Sequence, residues 1–234
     1  MQEVLSPTVL GNLLAPISRA GLRALGQVWK SPPLLDDQKF WEYMQDAYVD
    51  LAEPVLTLAT EAGASYYEMA GGDPVVADIT PEEALRKTAR WAMAKGNATT
   101  GLQLLSGSLE GHVYSAAQDS VQQSAEAEPG ATWARRARPN ACGFCKMLAT
   151  REDVYASAES ALRVVGRHGR PRGNAKLGDK YHDCCRCLAV AVRPGQVYRP
   201  PSYTQKWEEE YVSITREVGT NPDAVIAAWD KLAS

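Results

Sequence analysis

The sequence predicts a mainly α-helical chain in three parts: a helical N-terminal region over 1–128, a small α+β module over 129–197 and a helical C-terminal arm over 198–234. Three observations carry that expectation. Apolar residues recur at 3–4 spacing through long runs before residue 126 and again after residue 203. Ala127-Glu128-Pro129-Gly130 is a turn, and the texture of the sequence changes there. All five cysteines then fall between residues 142 and 187.

A first helix is expected over 6–30. Ser6 is a cap with Pro7 at the first helical position, and Leu10, Leu13, Leu14, Ile17, Leu22, Leu25 and Val28 form one face. Pro16 predicts a kink or a split, and Ser31-Pro32-Pro33 a stop. A second helix starts at Asp36 or Asp37 and runs to about residue 70. Its apolar set is Phe40, Trp41, Met44, Tyr48, Leu51, Val55, Leu58, Ala62, Tyr66 and Met69, with a kink or break expected at Pro54. Thr80-Pro81-Glu82-Glu83 reads as a capping box opening a third helix, with Thr80 as the cap. Leu85, Thr88, Ala89 and Ala92 give its apolar face, flanked by Trp91 and Met93. A fourth helix is expected over about 98–125, through Leu102, Leu105, Leu109, Val113, Ala116, Ala117 and Val121.

After the turn, Thr132–Ala137 reads as a short strand, 145–151 as one or two helical turns and Ser157–Val165 as a short helix. The glycine-rich, basic run Gly166–Lys176 lacks apolar anchors and reads as a mobile loop. Cys187–Val192 is the strongest strand candidate, ended by Pro194-Gly195. Two helices over about 203–217 and 222–232 close the chain. Their apolar positions are Trp207, Tyr211, Ile214, Val218, Val225, Ile226, Trp229 and Leu232. These helices either pack on the body or are presented to a partner.

The chemistry concentrates in the cysteines. Cys142-Gly143-Phe144-Cys145 is answered by His182-Asp183-Cys184-Cys185-Arg186-Cys187. A two-residue spacer lets one tight turn offer two donors to a tetrahedral zinc ion, and His182 to Cys185 repeats that spacing. The module is therefore read as pinned by structural zinc, since a closed site of four protein ligands supplies folding energy to a segment with little core. Cys142, Cys145 and Cys185 are the firmest ligands, and the fourth is His182 or Cys187. In an extended run Cys184 points away from Cys185. Disulfide or unliganded thiols, and a nucleophilic cysteine, are the other readings.

Charge is uneven. Residues 131–193 carry 13 Lys/Arg against 5 Asp/Glu, within a chain of net charge −3. Arg163, Arg167, Arg170 and Arg172 are the candidate contacts to a polyanion or an acidic partner, or simply a solvated loop. No apolar run approaches the roughly 18 residues that span a bilayer. The start lacks the basic segment of a secretory signal, which points to a reducing site of synthesis and disfavours disulfides. His112, Ser115 and Asp119 share one face of the fourth helix, so a hydrolase constellation competes there with a plain polar face. No GxSxG elbow, HExxH, SxxK or phosphate-cradling glycine loop is present.

The runs 138–151, Val154-Tyr155 and 181–187 resemble the C-terminal segment of MuF-like minor head (head morphogenesis) proteins of tailed phages, chiefly those of actinobacteria. The hallmark is CxxC followed by HxxCxC. Here Cys184 stands where other residue types are usual. The resemblance covers 131–193 well and the rest weakly. It implies a virion protein associated with the portal inside the head, beside the major capsid protein, assisting assembly, DNA packaging or ejection, and the leading expectation is a structural rather than an enzymatic role. Relatives labelled capsid maturation protease make that activity the runner-up.

Overall fold

The computed structural model describes residues 2–30, 37–96, 100–150, 164–165, 171–172 and 186–232. Helix α1 spans Pro7–Lys30. Ser6 starts it: its Oγ accepts the Thr8 N–H at 3.3 Å and its carbonyl accepts the Val9 N–H at 3.0 Å. Helix α2 spans Asp37–Met69. Neither Pro16 nor Pro54 breaks its helix, so of the expected kink or break the break does not occur. Each proline costs the helix one hydrogen bond to the carbonyl four residues back. Both prolines, and both freed carbonyl residues, Asn12 and Asp50, lie on exposed faces where water can serve those carbonyls.

The buried line of α2 is Met44, Tyr48, Ala52, Leu56, Ala59, Ala62 and Tyr66. Leu58 (52% exposed) and Met69, expected on that face, stand outside it because the true phase runs through Leu56 and Ala59. Helix α3 spans Glu82–Lys95, one residue later than the capping box requires. Thr80 makes no side-chain cap. The Pro81 carbonyl accepts the Ala84 and Leu85 N–H groups, and Glu83 pairs with Arg90 instead of turning back.

Helix α4, Thr100–Ala127, is the enclosed centre, buried on most of its surface. It crosses α2 backbone to backbone: a Cβ on Gly63 would stand 2.2 Å from the Ala117 carbonyl oxygen. It also holds the extended segment before α3, because Ser124 Oγ accepts the Val75 N–H at 2.8 Å and Ser120 Oγ the Ala77 N–H at 3.1 Å.

Strand β1 is Gln2–Glu3 and β2 is Thr132–Arg136. Strands β3 and β4 are Val164–Val165 and Pro171–Arg172. Strands β5 and β6 are Leu188–Val192 and Gln196–Val197. β2 and β5 pair antiparallel from Thr132↔Val192 to Arg136↔Leu188, β1 pairs parallel with β6, and β3 pairs antiparallel with β4. Val164 and Val165 thus end in a strand, not the expected helix, and the rest of Ser157–Val165 lies outside the described residues.

Alternation along β2 and β5 sends Trp133, Ala189 and Ala191 into the helical core, and Ala134, Val190 and Val192 toward Tyr198. Packing is therefore continuous across the turn at 127–130. A second link reinforces it: Arg193 Nε donates to both Glu128 oxygens, Arg193 Nη1 to the Ala70 carbonyl, and Tyr67 Oη to Glu128. Helices α5 (Gly143–Ala149), α6 (Ser202–Val218) and α7 (Pro222–Leu232) complete seven helices among the described residues. None of the described helices is long and apolar enough to cross a membrane.

Candidate metal centre

Cys142 is the N-cap of α5 in extended conformation, and its Sγ accepts the Cys145 N–H at 3.4 Å. A backbone N–H aimed at sulfur is the contact a ligating thiolate needs to offset its charge. Cys142 is half-buried and Cys145 buried. Cys187, 2% exposed, precedes β5 and belongs to the same apolar cluster as both.

That cluster is closed by the C-terminal helices. Phe144, Met147 and Leu148 of α5 pack with Trp207, Ile214, Val225 and Trp229. Tyr203 Oη donates to the Ala137 carbonyl at 2.8 Å, and Trp229 Nε1 donates to Glu210 at 2.8 Å. The Tyr203 and Trp207 rings lie 5.0 Å apart, and Lys146 Nζ stands 6.0 Å from the Trp207 ring. Gly143, between the first two cysteines, admits α7 at contact distance. Its N–H donates to Asp230 Oδ1 at 3.1 Å, and a Cβ there would stand 2.8 Å from Trp229 Cβ and 2.9 Å from the Ile226 carbonyl.

The donor chemistry of Cys142 and Cys145 fits zinc: soft sulfur at the spacing of one turn, with an N–H directed at the first thiol. The described residues alone do not complete a ligand set, since no three His, Cys, Asp or Glu side chains among them are gathered as an ion requires. His182, Cys184 and Cys185 lie outside the described residues. Arg163, Arg167 and Arg170 do as well, and Arg172 is in β4, opposite Val164.

The hydrolase constellation meets other neighbours. His112 Nε2 lies 3.4 Å from Thr88 Oγ1 of α3. Asp119 is half-buried, and desolvation pushes its carboxyl up to about 6 against the pull of Arg135. Arg135 itself is 1% exposed, with its guanidinium 5.8 Å from the Trp133 ring.

Two residues that hold the module, Gly143 and Glu110, were not singled out by sequence. Glu110 is buried in α4, hydrogen-bonded to Ser18 and ion-paired with Arg186 of the second cysteine cluster. A signal existed: Glu110 lies three residues before Val113 and seven before Ala117, on the apolar phase of the helix.

Fold and site define a helical body that carries a cysteine knuckle on a small module, clamped by a terminal helix pair. The family described as VG15 protein matches residues 10–214, so the chain belongs to that family and is a phage protein. No curated protein and no solved structure matches the chain.

Proposed function

We propose that the chain is a minor head protein of a tailed phage. It associates with the portal inside the procapsid and assists head assembly, DNA packaging or ejection. The observation that carries this reading is the reach of the VG15 match, which spans the helical body, both cysteine clusters and most of α6. The finer assignment leans on the CxxC and HxxCxC resemblance to MuF-like head proteins.

In this reading zinc is a structural cross-link. Cys142, Cys145 and two of His182, Cys185 and Cys187 hold it, joining the two ends of a roughly forty-residue insert. The basic surplus, with Arg163, Arg167, Arg170 and Arg172, faces packaged DNA or an acidic portal surface. Metal analysis of the purified chain should find one zinc, and Cys142→Ser should lose it. A metal-free wild type that folds would overturn the cross-link.

The deciding experiment is quantitative mass spectrometry of mature particles. It counts copies of this chain per portal and reads the N-terminus of the major capsid protein. A few intact copies beside an unprocessed capsid protein is the expected result. Absence of this chain beside a trimmed capsid protein would favour a capsid maturation protease instead.

A further inference from the structure

A carboxylate inside a protein is costly unless it is paired. Glu110, in the body of α4, has a side chain only 9% exposed. Its Oε1 accepts from Ser18 Oγ of α1 at 3.5 Å and pairs with the Arg186 guanidinium. Arg186 does not belong to the helical body. It stands between Cys185 and Cys187 and two residues before β5 begins. The charge buried in the body is thus spent on the second cysteine cluster.

The first cluster has its own anchors, the Asp230 carboxylate on the Gly143 N–H and the Trp229 ring against Gly143. Cys187 is buried in the apolar cluster that contains Cys142 and Cys145. Cys142 and Cys145 are thus held by the C-terminal helices, and Cys187, in the same apolar cluster, is tied in addition through its neighbour Arg186 to α4.

We infer that Glu110 is a positioning residue for Cys187. Through Arg186 it sets where Cys187 presents its thiol, and it ties metal loading to the helical body. The inference rests on the zinc reading proposed above. Side chains that orient ligands from outside the coordination shell typically govern metal affinity about 10–100-fold. An exposed ion pair would carry no such effect, because solvent screens it. Here the acid is 9% exposed and the Arg186 side chain 38%, so solvent reaches one partner only, and that partner is bonded directly to a candidate ligand residue.

The test uses the full chain and zinc itself. Affinity is measured by competition with a chromophoric chelator, and the zinc-dependent rise in melting temperature by circular dichroism. Glu110→Gln is expected to keep one zinc per chain, to bind it at least about 10-fold more weakly, and to show a smaller zinc-dependent rise in the melting of the helices. Should Glu110→Gln not fold, the double variant Glu110→Gln with Arg186→Gln removes the buried charge and its partner together, and the same loss of affinity is expected. Wild-type affinity with an unchanged melting rise in the variant overturns the inference alone. A wild-type chain that takes up no zinc overturns the zinc reading, and this inference with it.

Discussion

The helical body and the cysteine module bury their residues by different means. Among the described residues the main cluster holds 28 buried apolar residues and the module cluster 11. The larger core is built from helices that cross closely, and it tolerates a central helix, α4, with buried Ser108, Glu110, Gln118, Ser120, Gln122 and Ser124. Several of these serve backbone elsewhere, as Ser120 and Ser124 serve Ala77 and Val75. The smaller cluster has no such reserve. It relies on two tryptophans, a glycine contact and, in the proposed reading, a metal. What one region gains from area the other gains from specific contacts, so the module should fail at fewer points and more sharply.

Trp229 is the severest of those points. It is fully buried, donates to Glu210 and packs with Tyr211, the ring centroids 5.9 Å apart. Trp229→Ala should cost about 3–5 kcal/mol. Hydrogen exchange should show the loss confined to α5, α6 and α7, with α2 and α4 still protected. Equal loss of protection in α2 and α4 would mean that the two regions unfold as one unit.

Two glycines sharpen the contrast. Gly63→Ala puts a methyl group 2.2 Å from the Ala117 carbonyl, so α2 and α4 must separate. Gly143→Ala puts one 2.8 Å from Trp229 Cβ, so α7 must lift. Overpacking of this kind costs about 1–3 kcal/mol. The first variant should lower the melting of the body, and the second should expose α7 to protease while the body keeps its transition. Reversed outcomes would mean that the body and the module do not fail separately.

Much of this was legible in the sequence. The range of α1 follows from its Ser6 cap and 3–4 spacing, and the course of α2 from its apolar spacing. The last two helices were placed within a residue, because Pro201 and Pro222 punctuate them. The β2–β5 pairing was visible as two strands, but not as a pair, since register depends on the helical face beneath it. Pro16 and Pro54 do not break their helices; a sequence says that a hydrogen bond is lost, not that its carbonyl faces water. The Thr80 box failed because the helix starts one residue later, and Glu83 then finds Arg90. In the site, spacing named Cys142, Cys145 and Cys185 first and His182 or Cys187 as the fourth; of these Cys142, Cys145 and Cys187 are among the described residues and share one apolar cluster. Gly143 escaped because it acts on Trp229, remote in sequence, and the place of Glu110 on the apolar phase of α4 signals burial but not its partner Arg186.

The smallest expected effect separates the regions by pH. Asp119 sits between α4 and β2, and burial raises its carboxyl from 3.8 to about 6. Between those values the folded chain holds a proton that the unfolded chain has released. Its contribution to stability therefore falls as pH rises from about 4 to about 6. Glu128 has the opposite sign. Its hydrogen bonds from Arg193 hold its carboxyl below the ordinary 4.5, so its contribution is present above that value and is lost on acidification. Both groups belong to the body and its hairpin, and neither touches the clamp on α5. Asp119→Asn should flatten the pH dependence of melting between about 4 and 6, by on the order of 1 kcal/mol once partial exposure is discounted. Exchange protection of α5 and α7 should not change over the same window. An unaltered slope in Asp119→Asn would remove Asp119 as its source, and a slope carried by α7 would place the titration in the module instead of the body.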